Sequence, residues 1–168
     1  MHSRLLILLS AFLLAAGIAC SPVKETSSHI LFRGEGPDTI PYRIPAITML
    51  SDGSLLALAD YRHCRSDIGW GRVDIHARAS YDNGASWTAE YPLLEGSGIS
   101  KAVDCGFGDA AIVADNETDE ILVMTECGET VYWHSSTNRQ NPNRIALLRS
   151  LDNARTWEPW VEVTEDIY

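Results

Sequence analysis

Basic charge is scarce in this chain. Its 168 residues carry 13 Lys and Arg against 23 Asp and Glu, a formal net charge of −10. No basic face is available to neutralise phosphates, which excludes nucleic acid as a partner, and the chain will not dock by charge on an anionic lipid surface. Cysteine is scarce too, four in all. No Cys-x-x-Cys pair and no Cys/His spacing suits zinc. Cys64, Cys105 and Cys127 form an odd set that cannot all pair, so buried free thiols with at most one bridge are expected. Helical periodicity is missing after the first twenty residues, which excludes a helical bundle. A spanning hydrophobic segment is missing as well, because the apolar run Leu5–Ala16 is too short. What remains is 45% hydrophobic and 21% charged, enough for a packed core in a single domain.

The first residues read as an address. Arg4 precedes the apolar run, which ends Gly17-Ile18-Ala19-Cys20-Ser21-Pro22. Residues 1–19 fit a secretory signal. Small residues directly before Cys20 resemble a bacterial lipobox, whose cysteine is acylated and becomes the new N-terminus; the plainer alternative is an ordinary cleavage site. Residues 21–28 form a polar tether. The expected location is outside the cytoplasm, as a periplasmic or outer-membrane and cell-surface bacterial lipoprotein, with membrane contact only through the lipid.

The remainder repeats. Arg43–Leu50 is an apolar run closed by Ser51-Asp52-Gly53-Ser54, a strong turn signal, and Leu55–Asp60 returns. Val73–Ser80 alternates as a half-buried strand does, runs through a tight turn to Trp87, and Thr88–Leu94 continues extended. The order recurs as Ala110–Ala114, Glu120–Thr125, Arg144–Ser150, a turn to Trp157, and Glu158–Val163. Hairpin, third strand, Trp turn and fourth strand make the blade of a β-propeller. Two blades do not close a ring, so residues 30–168 read as the truncated N-terminal part of a propeller domain. Long loops at Arg62–Arg72 and Gly128–Asn143 are where a site would sit.

The turns carry a signature. Ser80-Tyr81-Asp82-Asn83-Gly84-Ala85-Ser86-Trp87 resembles the Asp-box, and Ser150-Leu151-Asp152-Asn153-Ala154-Arg155-Thr156-Trp157 is a second copy. Asp82 and Asp152 are expected to accept turn N–H bonds, with Trp87 and Trp157 burying their rings between strands. Ala154 replaces Gly and is expected to distort the second turn. A calcium site needs further oxygens at fixed offsets, so no metal and no cofactor is expected.

Upstream, Tyr42-Arg43-Ile44-Pro45 resembles the motif that opens the catalytic domain of sialidases. Asp60-Tyr61-Arg62-His63-Cys64-Arg65-Ser66-Asp67 is similar to the same family's acid-x-Arg and loop Asp, and Gly106-Phe107-Gly108-Asp109 stands where the family carries an Asp into its second blade. The resemblance covers about residues 30–168 and implies an all-β fold, about two blades of a six-bladed sialidase propeller. It implies an exo-α-sialidase, a retaining glycoside hydrolase acting on sialylated glycans. Arg43 would then grip the substrate carboxylate, since guanidinium forks pair with carboxylates; the plain alternative is an ion pair with Asp38 or Asp60. Arg62, or its neighbour Arg65, would touch the sugar or support the pocket. Asp67 would be the acid/base. Asp109 would accept from the N-acetyl N–H or adjust the charge. Trp133 and Tyr132 would line the acyl pocket or serve as core aromatics, while His63, His76 and His134 read as structural. In this family the nucleophile is a Tyr activated by a Glu, supported by further arginines. The resemblance puts these in later blades, and Tyr168 lacks their context. A second reading is a non-catalytic sialoglycan-binding module.

Overall fold

Each turn-bounded apolar run becomes a strand. The computed structural model describes residues 28–34, 40–135 and 143–167. The expected leader, Cys20, all but the last tether residue, Asp38 and Tyr168 lie outside the described residues. The strands are β1 (Tyr42–Met49), β2 (Leu55–Tyr61), β3 (Asp74–Ser80), β4 (Tyr91–Leu94), β5 (Phe107–Ala114), β6 (Ile121–Cys127), β7 (Arg144–Ser150) and β8 (Val161–Glu162). Two single-turn helices, α1 (Tyr132–Ser135) and α2 (Thr164–Ile167), follow β6 and β8. The strands form two four-stranded sheets, β1-β2-β3-β4 and β5-β6-β7-β8, antiparallel throughout. The fourth strands are shorter than expected. The backbone after each Trp follows its neighbour through single bonds, Thr88 N to Ala79 O at 2.9 Å and Glu158 N to Arg149 O at 2.9 Å, before ladder pairing begins.

The core lies between the sheets. Leu56, Leu58, Ile75 and Ala77 from the first meet Phe107, Ile121, Val123, Ala146 and Leu148 from the second. Side chains two apart on a strand share a face, and each fully buried Leu, Ile or Phe contributes about 1.5–3 kcal/mol. Trp157 packs against this core. Cys64, Cys105 and Cys127 are free thiols.

The two Trp turns close alike. Asp82 Oδ1 accepts from Ser86 N at 2.8 Å and Ser80 Oγ at 2.8 Å, and Ser80 Oγ accepts from Gly84 N at 2.8 Å. Asp152 Oδ1 accepts from Thr156 N at 2.8 Å and Ser150 Oγ at 2.9 Å, and Ser150 Oγ accepts from Ala154 N at 3.0 Å. The expected distortion at Ala154 is absent. Asn153 and Ala154 take φ of 55° and 62°, matching 58° and 86° at Asn83 and Gly84. The left-handed strain at Ala154 is borne by the closed turn and by Asn153, whose side chain donates to Asp119 Oδ1 at 2.8 Å.

A second duplication was not expected. The register of β1 on β2 slips between Arg43 and Ala46, and that of β5 on β6 slips between Gly108 and Ala111. Each slip is a β-bulge with a left-handed residue, Ile44 at φ 47° and Asp109 at φ 56°. Asp tolerates that conformation; a β-branched Ile resists it.

Candidate functional site

The chemistry gathers where β2 ends. Asp60 is the second-last residue of β2 and is fully buried. Its Oδ2 accepts from Arg62 Nη2 at 2.8 Å and Nε at 3.1 Å, and its Oδ1 accepts from the backbone N–H of Asp109 at 3.0 Å. Arg62, only 4% exposed, also donates to the Ser66 carbonyl at 3.2 Å. Its Nη1 lies 3.0 Å from Asp67 Oδ1 and its Nη2 lies 3.4 Å from Asp109 Oδ1. One buried guanidinium therefore binds three carboxylates, two of which reach solvent. Asp67 Oδ1 also accepts from the Ile68 N–H at 2.8 Å.

This knot sets the charge. Burial pushes the Asp60 carboxyl up to about 6, against the pull of Arg62 and the Asp109 N–H. Burial raises Asp109 as well, and the negative charge of Asp67 adds to it. A water-poor cleft beside like charges favours the protonated acid.

Asp67, Ile68, Trp70, Asp109, Glu126, Val131, Tyr132 and Trp133 line a cleft of about 240 Å³. The Arg62–Arg72 loop supplies one wall, the end of β6 and the following loop supply the other, and the β5 bulge delivers Asp109. The Trp70 and Trp133 rings stand 5.9 Å apart at 52°. The loops touch at Gly69, whose φ is +87° and where an added Cβ would sit 2.6 Å from Val131 Cγ1.

Three expected residues thus share one cleft, Asp67, Asp109 and Trp133, with Tyr132 beside them and Arg62 beneath. Arg43 lines a different groove, about 430 Å³, with Leu31, Phe32, Pro45, Ala46 and Ile47. Its side chain is exposed. The ion pair with Asp60 does not form, because Asp60 is bound to Arg62 although its backbone lies opposite Arg43. Arg65 does not line the cleft. His63 and His76 belong to a separate cluster: His63 Nε2 lies 2.7 Å from Asp74 Oδ2 and His76 Nδ1 lies 2.5 Å from Glu90 Oε1.

Glu126 and Trp70 were not singled out from the sequence. A signal for Glu126 existed. It faces Gly108 and Ile145 across its sheet as Asp60 faces Arg43 and Ile75 across the other, so aligning the two hairpins marks it as the second blade's Asp60.

No family model matches the chain. Curated relatives do. A sialidase of Bacteroides fragilis is 27% identical over 135 residues, covering 75% of this chain and 25% of the relative. A sialidase of Micromonospora viridifaciens is 31% identical over 121 residues, covering 69% of this chain and 18% of the relative. Among solved structures, a Hadza microbial sialidase superposes with a TM-score of 0.59 at 28% identity, covering 74% of this chain and 26% of that one. The Trypanosoma rangeli sialidase in complex with the inhibitor DANA gives 0.53 at 19% identity, over 77% and 21%; that likeness speaks for the fold alone. The chain spans less than a third of the length of these curated relatives. Sequence and fold point the same way: the chain is similar to sialidases over about three quarters of its length, and its two four-stranded sheets match part of a sialidase-type β-propeller.

Proposed function

We propose that this chain supplies the acid/base half of an exo-α-sialidase site, a retaining hydrolase removing terminal sialic acid from glycoconjugates. The observation that carries the reading is the convergence of Asp67, Asp109 and Trp133 on one cleft over Arg62. Asp67 protonates the leaving glycosidic oxygen, then takes a proton from the water that completes hydrolysis. Its carboxylate is 60% exposed yet tethered through Oδ1, so it is both accessible and aimed. Arg62 is a positioning residue that fixes the two cleft aspartates. Asp109 receives a donor of the sugar, and the indoles of Trp133 and Trp70 give the ring apolar cover. Arg43 grips the anomeric carboxylate from the strand beside the knot, and its exposed guanidinium supports that role. The Ser80–Trp87 and Ser150–Trp157 turns act as Asp-boxes, structural clasps that hold each blade. Export and a lipid on Cys20 complete the proposal, tested by loss of labelled fatty acid from a Cys20→Ala variant.

The test combines sialoside binding by the chain, read by tryptophan fluorescence, with hydrolysis of a fluorogenic sialoside by the chain extended at its C-terminus with the blades that carry the nucleophile. Asp67→Ala should abolish turnover while leaving binding within a few-fold, and Arg43→Ala should weaken binding at least about tenfold. Sialosides that neither bind nor turn over, or binding and turnover that survive both substitutions, reject the reading.

A further inference from the structure

The Arg62–Arg72 loop that carries Asp67 is fastened at its base by a carboxylate to which the sialidase reading gives no task. Asp74, the first residue of β3, is 2% exposed. Its Oδ2 accepts from His63 Nε2 at 2.7 Å and Arg72 Nη2 at 2.9 Å, and its Oδ1 accepts from Arg72 Nε at 2.9 Å and the Gly96 N–H at 2.8 Å. An ionised carboxylate only accepts, so His63 donates from Nε2. Burial by itself would raise this carboxyl; the nearby His76 ring, Arg72, His63 and the Gly96 N–H outweigh it and hold Asp74 well below the usual carboxylate range. The bonds it receives are therefore charge-assisted.

The partners make Asp74 a junction. His63 is the second residue of the loop and Arg72 the last, and the backbone joins the same two ends, Cys64 N donating to Arg72 O at 3.2 Å. Gly96 lies on the connection from β4 to β5, the strand that delivers Asp109. One buried anion thus ties both ends of the acid/base loop to β3 and to the segment entering the second sheet. Arg62 and His63 are consecutive: the first grips Asp67, and the second is gripped by Asp74. A shift of the loop base therefore carries Arg62 and Asp67 with it. Arg62 aims the Asp67 carboxylate, while the Asp74 bonds set where the loop stands over the cleft.

We propose that Asp74 is a positioning residue for the acid/base, holding both ends of the Arg62–Arg72 loop so that Asp67 reaches the leaving oxygen. The inference rests on the sialidase reading and adds to it a residue outside the cleft lining. A misplacement of about 1 Å caused away from the chemistry costs up to about 10²-fold in rate.

Leaving-group dependence tests this in the chain extended at its C-terminus with the blades that carry the nucleophile. An alkyl sialoside needs its oxygen protonated as the bond breaks, whereas an activated aryl sialoside departs with little help. A misplaced acid slows the first selectively; a general loss of structure slows both alike. The constant kcat/KM reports the steps up to departure of the leaving group. Asp74→Asn should lower it at least about tenfold for the alkyl sialoside and less than about threefold for the aryl one. His63→Leu should act in the same direction, and His63→Gln, whose amide N–H can still donate to Asp74, should restore most of the loss; this pair decides the matter if Asp74→Asn fails to fold. In the 168-residue chain, the indole N–H resonance of Trp70, on the same loop, should move in His63→Leu and return in His63→Gln. Equal losses on the two sialosides, no loss on either, or a Trp70 resonance indifferent to His63 overturns the role of Asp74. If the Asp67→Ala and Arg43→Ala tests hold at the same time, the sialidase reading still stands; if those tests fail, both go.

Discussion

Deleting the Arg62 guanidinium should destabilise the chain in a pH-dependent way. Arg62→Met keeps most of the stem's volume and removes the cation from three carboxylates. Asp67 and Asp109 are about half exposed, so water and salt screen much of their loss. Asp60 is fully buried, and the cost concentrates there. Removing one partner of a buried pair costs about 3–5 kcal/mol, which for a chain of this size lowers the melting temperature by roughly 6–20 °C. The pH dependence follows from Asp60. Its carboxyl is raised from 3.8 to about 6, so the folded state holds the proton more tightly than the unfolded chain. Stability tied to this group is full below about pH 4 and declines as pH rises through 6. Without Arg62 the carboxyl rises further, so the deficit should be widest near pH 7.5 and shrink at pH 4.5, where Asp60 is protonated in both proteins. Urea denaturation at the two pH values measures this. Asp60→Asn added to Arg62→Met should recover part of the loss at pH 7.5, because a neutral amide needs no cation. A deficit below about 1 kcal/mol at pH 7.5, or an equal deficit at both pH values, refutes the view that Arg62 is the electrostatic clasp of the site.

Three further predictions concern the scaffold. Gly69→Ala should destabilise by about 1–3 kcal/mol, because the new methyl meets the Val131 backbone at 2.7–2.8 Å; a shift in Trp70 and Trp133 emission should accompany it, and unchanged emission and stability would contradict the contact. Asp82 is held down at about 2 by the Ser86 hydroxyl and N–H and the Ser80 hydroxyl. Its contribution is present above about pH 4 and lost as pH falls through 2, so Asp82→Ala should flatten the acid limb of the stability profile measured between pH 2 and 5. Ala154→Gly should stabilise by up to about 1 kcal/mol, since Ala154 sits at φ 62°; denaturant melts that show a loss would mean its packing against the core outweighs the backbone strain.

Strand order and blade repeat were legible because both are local signals: alternation along Val73–Ser80 and turn residues at Ser51–Ser54 and Asp82–Gly84 dictate pairing with the next segment. The motifs single out Asp67 and Asp109 as candidates, and their meeting in space was not legible. That meeting depends on Asp60 receiving the Asp109 N–H from the other sheet, a contact 49 residues long that no window of sequence reveals. Ala154 misled because propensity prices one residue, whereas the turn is closed by bonds from Ser150, Asp152 and Thr156. Glu126 escaped because no motif marks it; only the register of β6 does.

The paired bulges explain how one repeated scaffold yields an asymmetric site. In both blades the inner strand slips by one residue at the same place, putting a left-handed residue beside the end of the second strand. In the second blade that residue is Asp109, whose conformation turns its N–H toward Asp60 while its carboxylate reaches the cleft. In the first it is Ile44, which exposes its side chain and brings no charge; the neighbouring Arg43 carries the cation instead. The second-strand ends differ in the reverse sense: Asp60 is paired within the protein with Arg62, while Glu126 has Gly128 two residues on and lines the cleft. The backbone duplication thus repeats two positions in each blade, and these with their neighbours give an internal ion pair of Asp60 and Arg62, an exposed cation at Arg43, and two acids in the cleft, Asp109 and Glu126. Exchanging the second-strand pair, with Asp60→Glu and Arg62→Gly, should therefore free Asp67 and Asp109 from their clasp without touching the cleft wall. Crystallography should show Asp67 released from its 3.0 Å contact while the Trp70–Trp133 pair persists, and an Asp67 held in place would place the clasp elsewhere.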